Sequence, residues 1–302
     1  MNPAGTLQIR AAFTDGSVRI DAVVLERPAM TRLFVGQNPD AAVRLVPHLY
    51  ALCAEAQRFT AQAALAVADG RQFERSALDD RLLWLEMLHE NLWRLLLDWP
   101  VACGLVPARD EFAAWRSARL GVDGLAATRR LIDETLCPLV EKCRKTLVDR
   151  NIAPNWPTPD PAAWLVWWQA GGSSPQVPPR PPAPNDIAAA WLARIADVAR
   201  AAAALEASQP FPLVAAGGDG VGVAQSVTAR GILTHAIAIE QGKVKRYHLE
   251  APTDACFAGP QALAALLAGR CFESAGAARI GLETAILALD PCLPYEVEWK
   301  DA

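Results

Sequence analysis

The sequence predicts an α+β fold, and three observations predict it. Two apolar-alternating runs at the amino terminus flank a turn sequence, and a long middle section carries apolar residues at helical spacing. Late in the chain, two further strand-like runs sit on either side of Gln241-Gly242 before helical patterning resumes. With 302 residues, 52% of them hydrophobic, the chain can bury a large core, and its length allows one large domain or two modest ones. A net charge of −4 without a long Lys/Arg block gives no electrostatic footprint for nucleic acid or an anionic membrane.

The elements follow in order. Leu7 to Arg10 and Val18 to Val23 alternate around Thr14-Asp15-Gly16-Ser17, which predicts a β-hairpin. Asn38-Pro39-Asp40 supplies an N-cap and a first-turn proline for a short helix through Leu45. After Pro47, His48 to Ala68 predicts a helix with Cys53 in its first turns. Leu78 to Asp98 predicts another, its Leu stripe reading as core and Trp99-Pro100 as its stop. Leu125 to Val148 reads as helical, with Pro138 as a kink or break. Residues from about 154 to 186 are rich in Pro and Gly and predict an extended connector, in which Trp164, Trp167 and Trp168 require burial. An alanine-rich helix over Ala188–Ala207 comes next, then strands at Gly231–Glu240 and Lys243–Ala251. Helices at Pro260–Ala268 and Ala275–Leu289 and a short tail close the chain.

Several chemistries lack support. Gly217 to Gly222 has no Gly-Lys-Ser/Thr and is followed by a β-branched run, so it reads as a glycine-rich turn rather than a phosphate loop. The four histidines form no H-E-x-x-H pair, the seven cysteines form no C-x-x-C pair, and no Gly-x-Ser-x-Gly elbow occurs. The amino terminus shows no secretory signal and no apolar run is long enough to span a bilayer, so a cytoplasmic protein with reduced thiols is expected.

Four segments, in order, resemble the large subunit of [NiFe] hydrogenases. Gly36-Gln37-Asn38-Pro39-Asp40-Ala41 is similar to that family's "GRDPRDA", and Leu49 to Gln57, through Cys53, is similar to its "RICGVCxxxH". Ala229-Arg230-Gly231-Ile232-Leu233-Thr234-His235, continuing through Gln241-Gly242-Lys243 to Ala251-Pro252-Thr253, is similar to its "PRGxLGH…GK…VPS/T" strand pair. Asp290-Pro291-Cys292 is similar to the closing "DPCxxC". The resemblance implies the large-subunit fold as a single domain over 1–302: a helical core with an N-terminal β-hairpin and a small antiparallel sheet.

The departures direct the functional expectation. Two of the family's four cysteines are Tyr50 and Tyr295 here, and Gln57 and Glu298 stand where it has histidines. A phenol, neutral at pH 7, is a poor nickel ligand, so no nickel is expected. The positions that remain match the pocket for the iron fragment. By resemblance, Cys53 and Cys292 are candidate iron ligands, Arg230 and Thr253 candidate cyanide donors, and Leu233 and Pro252 parts of the apolar wall around carbon monoxide. On the residues alone, the cysteines read equally as core thiols, Arg230 as the partner of a carboxylate and Thr253 as a turn cap.

This combination is similar to the HupK/HoxV-type accessory proteins of hydrogenase maturation. The resemblance implies a non-catalytic scaffold that transiently holds the Fe(CN)2(CO) unit and passes it on. A HypC-type chaperone and a hydrogenase large subunit are the implied partners. Only Trp299 to Ala302 follow Glu298, so no peptide comparable to the family's cleaved extension is expected. A metal-free docking adaptor and an inactive hydrogenase-like subunit are the alternatives.

Overall fold

The structure, a computed structural model, describes residues 5–147, 157–172, 178 and 180–301. Strands β1 (Thr6–Thr14) and β2 (Ser17–Glu26) form the expected hairpin. Its turn residues Asp15 and Gly16 have φ of 50° and 75°, the left-handed pair that matches the twist of two antiparallel strands. The expected tail is instead a third strand. β7 (Tyr295–Asp301) pairs parallel to β1 and gives the order β2-β1-β7, which buries Leu7 and Ile9 completely. The Leu7 amide donates to the Pro294 carbonyl at 3.1 Å, so the two ends of the sequence are joined just beyond Cys292.

The segment leading to α1 (Pro39–Leu49) pairs with the second sheet, because the Gly36 amide donates to the Val244 carbonyl at 2.8 Å. Asn38 caps α1 as expected, its Oδ1 accepting from the Ala41 amide at 3.1 Å. Pro47 does not begin the next helix. The first helix runs through it, the chain turns at Tyr50, and a single 3-10 turn (Ala51–Cys53) leads into α2 (Ala54–Ala68). Cys53 is therefore the N-cap of α2 rather than a residue within it. The cause is a cap supplied from elsewhere: Glu86 accepts from the amides of Glu55 and Ala56 at 2.7 and 2.9 Å and fixes the start of the helix.

Ser76 and Asp79 form a reciprocal capping box that begins α3 (Ala77–Trp93). This helix does not stop at Trp99-Pro100. It widens through a π turn (Arg94–Asp98) and continues as α4 (Trp99–Ala102), where Pro100 falls in the first turn and its missing N–H costs little. The same device recurs after α5 (Arg109–Ala118): α6 (Gly124–Arg130) widens through a π turn (Leu131–Leu136) directly before Pro138 and continues as α7 (Cys137–Leu147). The residue expected to end this helix, Val148, lies outside the described residues.

Within the connector, residues 154–156, 173–177 and 179 lie outside the described residues, and the rest is not wholly extended. α8 (Ala162–Gln169) presses Trp164, Trp167 and Trp168 into a cluster with Val223 and Ala236. α9 (Ile187–Glu206) packs along α3, and Leu83, Leu88, Leu92, Leu96, Trp99 and Trp191 are almost wholly buried in the main core.

Strands β3 (Leu213–Gly218), β4 (Val221–Thr228), β5 (Gly231–Glu240) and β6 (Lys243–Glu250) form an antiparallel meander in sequence order. The glycine-rich turn is its first hairpin, and one of its glycines has a second task. A Cβ on Gly222 would lie 1.9 Å from the Ala64 carbonyl oxygen, so only glycine lets α2 rest directly on β4. Three helices follow, α10 (Pro252–Cys256), α11 (Gln261–Leu267) and α12 (Ala275–Leu289). No helix among the described residues is long and apolar enough to cross a membrane.

Candidate functional site

The site forms where α2, the β4–β5 turn, α10 and the segment after α12 converge. Cys53, at the head of α2, is partly buried. Burial, with the charges of Glu86 and Cys292 adding, pushes its thiol up to about 12, against smaller opposing effects of Arg230 and of a 3.6 Å hydrogen bond from Gln57 Nε2. Cys53, Glu86, Glu90 and Arg230 line one small cavity of about 10 Å3. Burial also pushes the Glu86 carboxyl up to about 7, although it caps α2.

Cys292 arrives by a different route. Asp290, in the left-handed conformation at φ 48°, ends α12 and turns the chain toward β7. The Cys292 sulfur then accepts hydrogen bonds from Thr253 Oγ1 at 3.2 Å and from Arg27 Nη2 at 3.1 Å. Thr253 Oγ1 also accepts from the Cys292 amide at 3.2 Å, which fixes backbone and sulfur together. Arg27, just beyond β2, is held by Asp254 at 3.0 Å, and Asp254 in turn caps α10 through the Ala251 amide.

Arg230 stands between the cysteines' surroundings and the core. Its backbone is set by Thr228, whose Oγ1 accepts from the Arg230 amide and donates to the Gly231 carbonyl. Its guanidinium meets Glu90 Oε2 at 2.9 Å and Asp290 Oδ2 at 3.0 Å. Asp290 also binds Arg194 at 2.8 Å, and Arg94 Nε donates to its other oxygen at 2.7 Å. Burial alone would raise the Asp290 carboxyl, but Arg230, Arg194 and Arg94 together overcome that and hold it at about 2. The Arg230 guanidinium, although fully enclosed, is kept charged by Asp290 and Glu90.

Of the expected site residues, Thr253 and Cys292 are in direct contact, and Cys53 and Arg230 share the small cavity. Pro252 lines, with Arg230, a second cavity of about 390 Å3 that lies between the connector and α9. Leu233 is almost wholly buried and lines neither cavity. The residues that replace family ligands are otherwise engaged. Gln57 Oε1 bonds His235 Nε2 at 2.9 Å, and burial lowers that imidazole to about 3, so it stays neutral. The Tyr295 hydroxyl donates to Glu283 at 2.5 Å, and the Glu298 carboxylate lies 3.9 Å from Arg10 on the exposed face of β7. Tyr50 remains close enough to Arg27, Asp254 and Cys292 to sense their charges, and burial raises its phenol.

Sequence reasoning missed Arg27, Glu86 and, of the three arginines around Asp290, Arg94 and Arg194. Nothing local marks Arg27, whose partner lies 265 residues away. Glu86 and Glu90 did leave a signal, as two carboxylates one helical turn apart within the leucine-rich pattern of α3.

No protein-family model matches the chain. The hydrogenase expression/formation protein HupV of Azotobacter chroococcum mcd 1 is 31% identical over 98% of both chains. The hydrogenase expression/formation protein HupK of Azotobacter vinelandii is likewise 31% identical over 98% of both. Among solved structures, the Ni-Fe-Se hydrogenase of D. vulgaris Hildenborough in its reduced state matches with a TM-score of 0.60 over 93% of this chain and 94% of that one, at 11% identity. An NAD+-reducing [NiFe]-hydrogenase matches with a TM-score of 0.57 over 93% of this chain and 94% of that one, at 13% identity. The fold is that of the [NiFe] hydrogenase large subunit, and the full-length likeness to HupV and HupK shows that the chain belongs to the HupV/HupK/HoxV family of hydrogenase expression/formation proteins.

Proposed function

We propose that the protein is a non-catalytic scaffold in [NiFe] hydrogenase maturation, holding the Fe(CN)2(CO) unit as cargo before it passes to the large subunit. The observation that supports this reading best is the convergence of Cys53 and Cys292, from opposite ends of the sequence, beside Arg230, Thr253 and Arg27. The donor set suits such a cargo. Sulfur is a soft ligand for low-spin iron, while guanidinium and hydroxyl groups are donors for anionic cyanide.

The same residues suit release as well as capture. Among the described residues no group of three or more His, Cys, Asp or Glu side chains is placed to hold a metal; in this reading the iron is gripped by Cys53 and Cys292 alone. Tyr50 and Tyr295 leave nickel without two of the family's thiolates. A HypC-type chaperone as donor and the large subunit as acceptor fit a scaffold that grips through few bonds, and the cytoplasm is where we place the exchange.

A second reading is favoured by the saturation of Arg230, which already faces two carboxylates. In that reading the protein is a metal-free adaptor that docks maturation proteins. Complementation separates the two. In cells lacking this protein, the wild-type chain should restore hydrogenase activity, and the double variant Cys53→Ala/Cys292→Ala should lose at least ~90% of that restoration, on the expectation that thiolate ligation is indispensable to metal retention. Full restoration by the double variant would support the adaptor.

A further inference from the structure

We infer that Arg27 is a second cargo-recognising guanidinium, which holds the Cys292 sulfur in the empty scaffold and turns to an anionic ligand of the iron when the metal takes that sulfur. The inference rests on the scaffold reading and deepens it by naming a residue that nothing in the local sequence marks.

The two arginines of the site differ in what binds them. Arg230 is enclosed, with its side chain 6% exposed and its charge opposed by both Glu90 and Asp290. Arg27 is opposed by one carboxylate, Asp254, and its side chain is 19% exposed. One of its two Nη groups, Nη2, is spent on Cys292 Sγ at 3.1 Å.

That last contact is what cargo would displace. Iron draws on a lone pair of that sulfur and so weakens it as an acceptor, while a cyanide ligand brings its own negative charge as a competing acceptor beside it. The Nη2 donor then needs a new anionic partner within reach of Cys292, and Asp254 keeps the base of the fork in place while it finds one. Thr253, on the same sulfur, shares that exchange.

The test compares wild-type protein, Arg27→Gln and Arg27→Lys, each purified anaerobically from cells expressing the full maturation machinery, by iron content and by the infrared cyanide stretches. Arg27→Gln should retain about tenfold less iron, in keeping with the loss of a charge-assisted bond, and shift the cyanide bands of what remains. Arg27→Lys keeps the charge without the fork and should retain an intermediate amount with its own band positions; it also serves as the folded variant if the glutamine form is unstable. Wild-type iron and unshifted bands in both variants would overturn the role of Arg27 while leaving the scaffold intact. Wild-type protein that carries neither iron nor bands would overturn the scaffold reading and this inference with it.

Discussion

At the scale of single residues, the site is organised by one buried acid. Asp290 ends α12, precedes Cys292 by two residues and gathers Arg94, Arg194 and Arg230. Removing one partner of a buried ionic cluster leaves the others charged and unpaired, which costs about 3–5 kcal/mol. Asp290→Asn should therefore lower the midpoint of denaturant unfolding by that equivalent, while Asp98→Asn, at the half-exposed edge of the same network, should cost under about 1 kcal/mol. Because the folded-state carboxyl of Asp290 is depressed, its stabilisation is complete above the unfolded aspartate range near pH 4 and is lost as pH falls toward about 2. Asp197, which lines the cavity between the connector and α9, has the opposite sign. Burial raises its carboxyl to about 7 against the pull of Arg194 and Arg200, so its destabilising effect grows from pH 4 to pH 7 and is complete above that. Asp197→Asn should raise the thermal midpoint more at pH 8 than at pH 5, and an equal effect at both would contradict the assignment.

At the scale of elements, the position of Cys53 depends on how closely α2 can sit on β4. Gly222→Ala would place a methyl against the Ala64 carbonyl, a clash with backbone that cannot be relieved by a rotamer change. The variant should be destabilised by at least about 2 kcal/mol in denaturant unfolding, whereas Gly70→Ala, at a helix end with nothing within 4 Å of its Cβ, should cost only the strain of its left-handed backbone. This element also shows how far the sequence could be read. The alternation around Asp15-Gly16, the Asn38 cap and the strands around Gln241-Gly242 are all governed by neighbours along the chain, and each is found as expected. The start of α2 is governed by Glu86 from another helix, so Cys53 is its cap and not an interior residue. β7 carried a period-two pattern in Tyr295-Glu296-Val297-Glu298-Trp299, but its partner β1 lies at the other end of the chain, and a strand without a nearby partner reads as a tail. The two π turns were invisible for a further reason: they absorb proline residues that propensity alone treats as stops.

At the scale of the whole molecule, the parallel pairing of β7 with β1 brings the two ends of the sequence together and sets Cys292 beside Arg27. The β4–β5 turn and α2 bring Arg230 and Cys53 to one small cavity. The contacts from Arg27 and Thr253 to Cys292 join segments that the resemblance treats separately, and Arg27 lies outside all four. The departures from the large subunit are equally integrated, since Gln57 is tied to His235 and Tyr295 to Glu283. These replacements are built into the surrounding structure.

The most direct test is the infrared spectrum and metal content of the protein purified without oxygen from cells that express the whole maturation machinery. A scaffold holding this cargo should show cyanide and carbonyl stretching bands with iron and without nickel, all lost in Cys53→Ala/Cys292→Ala. A protein free of iron and silent in that region, yet fully able to support maturation, would contradict it.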